Sequence, residues 1–327
     1  MRRIVAMAAP PVLLAWLSLA EWKIIERLLY ADAASVGFVV ESVRGVLAGT
    51  PVSKSWAHRV VAPLLVSLFG GANEAALERF AAGALVAANV LLFFCLRRRG
   101  VSLVGAAHGV VAFGLARFVL AYKLEYPWDG VDQLVFLTFG AWVARGGGLS
   151  RLAPLLVLGA FNHETILYVP LWYVLAGERK QRLAASGVAA AMATAIAITR
   201  AARYVGPPNL PGQVFEPPTP IVENHLHVAH NLRELFVRDW IAGRAHLSLA
   251  FFGATAAFVW LARRIETRVA AVWSLVVLGT VVAFGYVNET RHYLLLVAFW
   301  IAYAWRDRSV AVGLATERRM DSTKVTR

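Results

Sequence analysis

Two short polar motifs, each with one glutamate, interrupt long apolar runs of this chain. They are Asn162–Thr165 (Asn-His-Glu-Thr) and Asn288–Arg291 (Asn-Glu-Thr-Arg). A carboxylate at membrane depth costs about 2.5–3.5 kcal/mol on insertion scales, so it requires an ionic partner or a hydrated cavity. Two such carboxylates predict a polar site enclosed by helices, in which Glu164 and Glu289 are candidate catalytic residues.

Cationic side chains beside apolar runs are candidate ligands for a phosphate group. Arg59 precedes a short apolar run. Arg291 is the last residue of the second motif, and His292 follows it. Arginine forms two-pronged hydrogen bonds with phosphate and keeps its charge when it is desolvated. The alternatives are that Arg59 snorkels to lipid headgroups and that Arg291 pairs only with Glu289.

Two further acids lie next to predicted membrane segments. Asp32 follows the first apolar run, and Asp129 lies in a short turn between two others. A carboxylate just outside the membrane can accept the proton of an acceptor hydroxyl, which is the role of a general base. The aromatic neighbours of Asp129 suit contact with a sugar and the membrane interface equally well. Both residues could instead be ordinary acids of caps and turns.

The residues of the candidate site fall into two groups. The catalytic candidates are Asp32, Glu164 and Glu289, and the substrate-binding candidates are Arg59, Asp129, Asn162, His163, Asn288, Arg291 and His292. Three histidines near residue 227 resemble a metal-binding set, but residues two apart do not share a helix face. We therefore expect neither a bound metal nor a cofactor. The sequence also contains no Walker A motif and no glycine-rich dinucleotide loop.

The composition is that of a polytopic membrane protein. Hydrophobic residues make up 59% of the 327 residues and charged residues only 16%, whereas a soluble domain carries about 25% charged residues. The net charge is +13, but the basic residues cluster in short connections, which is typical of membrane orientation. We expect an all-α protein of about 8–10 membrane segments and no nucleic-acid partner.

Apolar runs of about 17–25 residues predict the helices that cross the bilayer. Val60–Gly71 is too short to cross, and Leu152–Gly177 is broken near Asn162. We expect the broken run to enter and leave by one face, because only then do all the strongly basic connections lie in the cytoplasm. The predicted spans are Ile4–Ala20, Phe80–Leu96, Val101–Tyr122, Val131–Ala144, Leu183–Thr199, Ala245–Leu261, Val269–Val287 and His292–Trp305.

This topology predicts one membrane domain, residues 1–305, and a basic tail, residues 306–327, that is disordered in the cytoplasm. The outer face receives two loops, residues 21–58 and 200–244, and each contains a segment with the pattern of an interfacial helix. We expect the protein in the cytoplasmic (inner) membrane, with both termini in the cytoplasm.

The acid after the first span, the interfacial outer segments, Arg59 with Pro63 and the two glutamate motifs form a recognisable set. Over Tyr30–Trp305 the chain resembles bacterial polytopic proteins grouped with the GT-C glycosyltransferases. The resemblance implies a GT-C-like fold and the inverting transfer of a sugar from a polyprenyl-phosphate carrier. The acceptor would be a glycan or a lipid outside the cytoplasmic membrane.

Carried onto this chain, the resemblance makes Asp32 the candidate base. It makes Arg59, Arg291 and His292 the candidate ligands of the carrier phosphate. The chain departs from the family in its first outer loop, where Ala33 follows Asp32 and the usual acidic pair is reduced to one acid.

Two other functions are consistent with the same residues. A transporter or flippase of lipids or solutes would use the intramembrane acids as a proton relay, and it would tolerate the Asp32→Asn substitution. A non-catalytic membrane scaffold would use the acids only to lock the helix bundle. In that case Glu164→Gln would lower stability without a chemical defect.

Overall fold

The computed structural model describes residues 14–26, 33–51, 56–120, 126–203, 227–284 and 291–305. Within these ranges the chain is helical and contains no β-strand, so the prediction of an all-α protein is confirmed for them. A 3₁₀ turn precedes each of α7 and α8 below, and a π-helical turn joins α10 to α11. The helices are residues 14–26 (α1), Ala33–Ala48 (α2), Val61–Ser67 (α3), Glu74–Arg98 (α4), Leu103–Leu120 (α5), Pro127–Val143 (α6), Ala153–Ala160 (α7), Tyr168–Ala176 (α8), Arg179–Arg203 (α9), Val228–Arg233 (α10), Asp239–Ile241 (α11), Ala245–Leu261 (α12), Arg268–Phe284 (α13) and Arg291–Ala304 (α14).

Three of these helices, α4, α5 and α9, are long and apolar enough to cross a membrane. Three such helices indicate a membrane protein. The larger number of segments, their orientation and the GT-C-like arrangement stay predictions. Shorter apolar stretches in the described part of the chain are Leu149–Ala160, Glu164–Ala176, Ala245–Leu261, Arg268–Phe284 and Tyr293–Ala304.

Several arginine-rich turns lie at one end of the helix bundle, which we name the basic end. The side chain of Arg99 donates a hydrogen bond to the carbonyl oxygen of Ala302. The indole Nε1 of Trp305 donates to the carbonyl oxygen of Gly105 at 2.9 Å. These two contacts bring together the end of α4, the start of α5 and the end of α14.

An aromatic core fixes α6 and α8, the helices that flank the site described below. The ring centroids of Trp273 and Phe299 are 4.4 Å apart, and those of Phe139 and Phe299 are 5.4 Å apart. Trp172 of α8 joins them, 6.1 Å from Trp273. Gly140 lets α6 and α14 approach, because a Cβ there would lie 2.5 Å from the Phe299 carbonyl oxygen. Aromatic pairs of this kind add about 0.5–1.5 kcal/mol each beyond burial.

The run Leu152–Gly177 is broken where the sequence predicts, and its two arms run in opposite directions. The first arm begins at Leu152, five residues after Gly147, and Tyr173 in the second arm donates a hydrogen bond from Oη to the Gly147 carbonyl oxygen at 2.7 Å. The break lies at the other end of α6, where Asn162 Nδ2 donates to the Trp128 carbonyl oxygen at 3.0 Å. The run is therefore a helical hairpin, and its apex marks what we name the site end of the bundle.

Candidate functional site

Helix α7 ends at Ala160, and the chain turns at the apex of the hairpin. A Cβ on Gly159 would lie 2.4 Å from the Ile166 side chain, so a residue larger than glycine would force the two arms apart. The backbone N–H groups of Asn162 and His163 both donate to the Gly159 carbonyl oxygen at 2.9 Å. His163 itself is extended, with φ −161° and ψ 144°. The Asn162–Thr165 motif consequently presents its polar side chains at the site end.

Glu164 is the centre of a cluster of ion pairs. Its Oε1 accepts a hydrogen bond from Arg59 Nη2 at 2.8 Å, and its Oε2 lies 3.1 Å from Arg200 Nη2. Arg59 precedes α3 and Arg200 lies in the last turn of α9, so three distant segments meet at one carboxylate. The exposed fractions of the side chains are 8% for Arg59, 13% for Arg200 and 37% for Glu164. Glu164 is thus the most accessible member of the cluster.

His58 completes the cluster from a position outside the helices. Its Nδ1 accepts a hydrogen bond from Arg200 Nε at 3.1 Å, and its Nε2 lies 3.4 Å from Glu164 Oε2. Burial lowers the pKa of His58 from 6.5 to about 4, although the contact with Glu164 acts in the opposite direction. The imidazole is therefore neutral at pH 7. Because Nδ1 is an acceptor, Nε2 carries the proton and faces the carboxylate.

A second carboxylate, Asp132, holds the rest of the motif. Its Oδ1 accepts a hydrogen bond from Asn162 Nδ2 at 2.8 Å, and its Oδ2 accepts one from Thr165 Oγ1 at 2.7 Å. The same Oδ2 lies 2.5 Å from His163 Nδ1. His163 Nε2 lies 3.9 Å from Glu164 Oε2, so His163 stands between the two carboxylates. Asp132 is 2% exposed, and its hydrogen bonds compensate the cost of burying the charge.

Aromatic rings form one wall of the site. Tyr126 and Trp128 are stacked with centroids 4.8 Å apart, and Trp56 lies 5.4 Å from Trp128. The guanidinium carbon of Arg59 is 5.1 Å from the centre of a Trp128 ring, which is a cation–π distance. The wall therefore orients Arg59 as well as bounding the site.

Three buried polar atoms of this site make no hydrogen bond within the described residues: Arg59 Nε, Trp128 Nε1 and Asn162 Oδ1. Buried polar groups nearly always have a partner, and one without a partner costs about 1–3 kcal/mol. Such donors and acceptors suit a bound molecule that offers both kinds of group.

Four of the predicted site residues meet at the apex, namely Arg59, Asn162, His163 and Glu164. Asp129 lies close by, in the first turn of α6, but its Oδ2 accepts a hydrogen bond from the Tyr126 N–H at 3.0 Å. This contact caps α6 and agrees with the alternative interpretation of Asp129 as a cap residue. Outside the described residues lie Asp32, Asn288 and Glu289, together with the side chains of Arg291 and His292.

Three members of the site were not predicted: His58, Asp132 and Arg200. An arginine at the end of an apolar run commonly snorkels to the headgroups, so Arg200 gave little indication of a site. Asp132 had a usable signal, since it begins a nearly continuous apolar stretch of α6. His58 had no signal beyond its position next to Arg59.

A separate buried ion pair joins the first helix to the bundle. Arg117, which is 1% exposed, donates from Nη1 to Glu21 Oε1 at 2.6 Å and from Nε to Gln133 Oε1 at 3.1 Å. Asn89 Nδ2 donates to Glu21 Oε2 at 2.8 Å. The network connects α1, α4, α5 and α6 and has no contact with the Glu164 cluster among the hydrogen bonds and ion pairs of the described residues.

No family profile, curated protein or solved structure matches this chain. Among the residues that the structure describes, no group of three or more histidine, cysteine, aspartate and glutamate side chains has the arrangement of a metal site.

Proposed function

We propose that this protein is an integral membrane glycosyltransferase that takes a sugar from a polyprenyl-phosphate carrier at the outer face of the cytoplasmic membrane. The observation that supports the proposal is the convergence of Arg59 and Arg200 on Glu164 at the break of a helical hairpin. Arginine binds phosphate through parallel hydrogen bonds and stays charged when covered. A pair of arginines at the end of an apolar bundle suits a phosphate that is attached to a lipid.

In this proposal the donor phosphate binds at Arg59 and Arg200, with Arg291 and His292 as further ligands. Fixed cations stabilise the negative charge that grows on the carrier phosphate as the sugar leaves. Glu164 positions the two arginines before the donor arrives, because its carboxylate contacts both of them. The polar atoms of the apex that make no hydrogen bond then serve the sugar hydroxyl groups.

Asp32 is the proposed general base. It accepts the proton of the acceptor hydroxyl while the oxygen of that hydroxyl attacks the sugar and the bond to the carrier phosphate breaks. Attack from the side opposite the carrier inverts the anomeric centre. Glu289 is proposed to orient the cations near Arg291. Glu164 contacts two guanidinium groups and is therefore better suited to positioning than to accepting a proton.

The proposal includes a GT-C-like arrangement of about 8–10 membrane segments, in which Leu152–Gly177 is re-entrant and both termini are cytoplasmic. Two observations support it. The start of the first arm and the end of the second arm both lie near Gly147, just beyond the end of α6. The arginines at this end, opposite the apex, fit a cytoplasmic side. The outer face of the cytoplasmic membrane is then the side of Glu164.

A strain that lacks the gene tests the proposal through its lipids. We expect mass spectrometry of lipid extracts to detect an accumulating polyprenyl-phosphate sugar, which the restored wild-type gene removes. Asp32→Asn should fail to remove it at normal membrane levels, and Glu164→Gln should remove less of it per amount of folded protein in the membrane. Glu178→Gln is the matched control, because Glu178 is exposed in the turn before α9 and should behave as wild type.

Other outcomes would contradict parts of the proposal. Removal of the lipid by Asp32→Asn would eliminate Asp32 as the base. The absence of any accumulating lipid-linked sugar, together with substrate movement that depends on the proton gradient, would favour a transporter instead.

A further inference from the structure

The turn between α12 and α13 lies at the basic end of the bundle. The rings of Phe258 in α12 and Trp300 in α14 are stacked, with centroids 5.7 Å apart. Trp300 Nε1 also donates a hydrogen bond to Oγ of Ser274, in the first half of α13, at 2.8 Å. Since α14 ends at Ala304, shortly after Trp300, both contacts place the end of α12 and the start of α13 at the basic end.

Three exposed arginines and a single acid lie within residues 262–268 of this turn. The side chains of Arg263, Arg264 and Arg268 form no ion pair with Glu266 or with another acid of the described residues. The guanidinium carbon of Arg264 instead lies 3.9 Å from the centre of a ring of Trp260, which is a cation–π distance. An aromatic ring thus orients Arg264, and its charge is not compensated by a carboxylate.

An apolar stripe on the outer side of α12 leads to this turn. Leu249, Gly253, Ala256 and Trp260 are all exposed, and their spacing of three or four residues places them on one helix face. Phe251, on the other side of the helix, is buried. The stripe rises about 16 Å from Leu249 to Trp260, which is close to the hydrocarbon depth of one leaflet, about 15 Å. An acyl chain that lies along the stripe would therefore end beside Trp260.

The groups at the end of the stripe suit a phosphate that is attached to acyl chains. Arginine forms two-pronged hydrogen bonds with phosphate, and arginines next to a membrane attract anionic headgroups. Tryptophan favours the level of the headgroups. A phospholipid with a net negative charge, such as phosphatidylglycerol, matches the excess of arginines in the turn. Phosphatidylcholine matches it less well, because its choline cation would lie close to the same arginines.

We propose that Trp260 and the arginines of this turn form a binding site for one anionic phospholipid. Arg264 binds the lipid phosphate, with Arg263 and Arg268 as neighbouring cations. Trp260 contacts the glycerol backbone, and one acyl chain lies along the stripe of α12. The site is at the end of the bundle opposite Glu164, and the proposal is independent of the enzymatic one.

Native mass spectrometry of the purified protein in detergent tests this site, because it counts bound lipid molecules. Phosphatidylglycerol and phosphatidylcholine with the same acyl chains are titrated separately, and the wild-type protein should bind phosphatidylglycerol several-fold more tightly. An arginine near a membrane surface contributes about five-fold to the binding of an anionic lipid. Arg264→Gln should therefore lower the affinity for phosphatidylglycerol about five-fold and leave that for phosphatidylcholine unchanged. Arg151→Gln, an exposed arginine at the same end, should bind both lipids as wild type does.

Three results would overturn the proposal. Equal affinities of the wild-type protein for the two lipids would mean that the stripe contacts bulk lipid or another protein. Equal losses in Arg264→Gln and Arg151→Gln would mean that the whole basic end attracts anionic headgroups without a particular site. Displacement of phosphatidylglycerol by soluble glycerol phosphate would mean that the phosphate alone is recognised and the stripe is not. Since both substituted side chains are exposed, loss of fold is not expected to obscure the comparison.

Discussion

Replacing Glu164 by glutamine removes the carboxylate that Arg59 and Arg200 both contact. Removing one partner of a buried ion pair costs about 3–5 kcal/mol, because the other charge stays covered without compensation. The two arginine side chains are 8% and 13% exposed, but Glu164 is 37% exposed, so water screens part of the interaction. Glutamine also keeps one carbonyl oxygen for Arg59. We therefore expect the free energy of unfolding to fall by about 3 kcal/mol, the lower end of that range.

A matched substitution separates this effect from a general effect of losing a charge. Glu41 pairs with Arg44 at 2.5 Å, and the side chains are 50% and 53% exposed. Exposed pairs contribute about 0–1 kcal/mol, so Glu41→Gln should change stability by less than about 1 kcal/mol. Both variants can be measured by reversible unfolding in mixed detergent and sodium dodecyl sulfate micelles, followed by tryptophan fluorescence. Equal losses in the two variants would refute the reasoning that the Glu164 cluster is a buried ionic centre.

Three further predictions concern other positions. The pKa of His58 is lowered by burial from 6.5 to about 4, so the unfolded chain takes up a proton that the folded protein refuses. The contribution of neutral His58 to the free energy of unfolding is then complete above pH 6.5 and falls by about 3 kcal/mol between pH 6.5 and 4. His58→Gln should therefore flatten the plot of unfolding free energy against pH over that interval. An unchanged slope would contradict the lowered pKa of His58. Gly159→Ala brings a Cβ to 2.4 Å from Ile166 and should cost about 1–3 kcal/mol, measured as the thermal midpoint in detergent. Gly253→Ala, with nothing within 4 Å of the new Cβ, should be neutral or stabilising, and equal midpoints would exclude a close approach at Gly159. Arg117→Gln should cost about 3–5 kcal/mol by leaving Glu21 without its charge partner; the double variant with Glu21→Gln should lose less than the sum of the two single losses, and additive losses would mean that the pair is not coupled.

Apolar length predicted most helices, and the differences arise at their polar ends. Ala245–Leu261 has the predicted bounds. Pro127–Val143 begins four residues before the predicted start at Val131, because proline is favoured in the first helical turn and Asp129 caps it. Arg179–Arg203 extends one turn beyond the predicted span at each end. A count of apolar residues cannot detect such turns, since charged side chains such as those of Arg179, Lys180, Arg200 and Arg203 interrupt the apolar run although the backbone is helical.

The site could be predicted only in part, because its partners come from distant segments. The break near Asn162 and the choice of Glu164 as a candidate site residue follow from polar residues within an apolar run. Arg59, however, is 105 residues from Glu164 in sequence. Their meeting depends on packing such as the hydrogen bond from the Val61 N–H to the Phe161 carbonyl oxygen at 3.0 Å. No local pattern encodes that contact.

Asp129 and Asp132 illustrate the same limit at short range. Both acids lie near the start of α6, and either could have capped the helix or entered the site. The geometry of the first turn directs Asp129 to the Tyr126 N–H and Asp132 to the hairpin apex. Pro127 indicates the first turn and so favours Asp129 as the cap, but no feature of the sequence shows that Asp132 meets the hairpin apex.

The central claim is that the arginine cluster binds the phosphate of a lipid-linked sugar. Binding of a short-chain polyprenyl-phosphate sugar to the purified protein in nanodiscs, measured by calorimetry, tests it most directly. A hydrogen bond to a charged group contributes about 1.5–3 kcal/mol, so Arg59→Gln should weaken binding by about 10–100-fold. Arg151→Gln, an exposed arginine before α7, should bind as wild type does. Equal affinities of the wild-type protein and Arg59→Gln, or no binding by the wild-type protein, would contradict the claim.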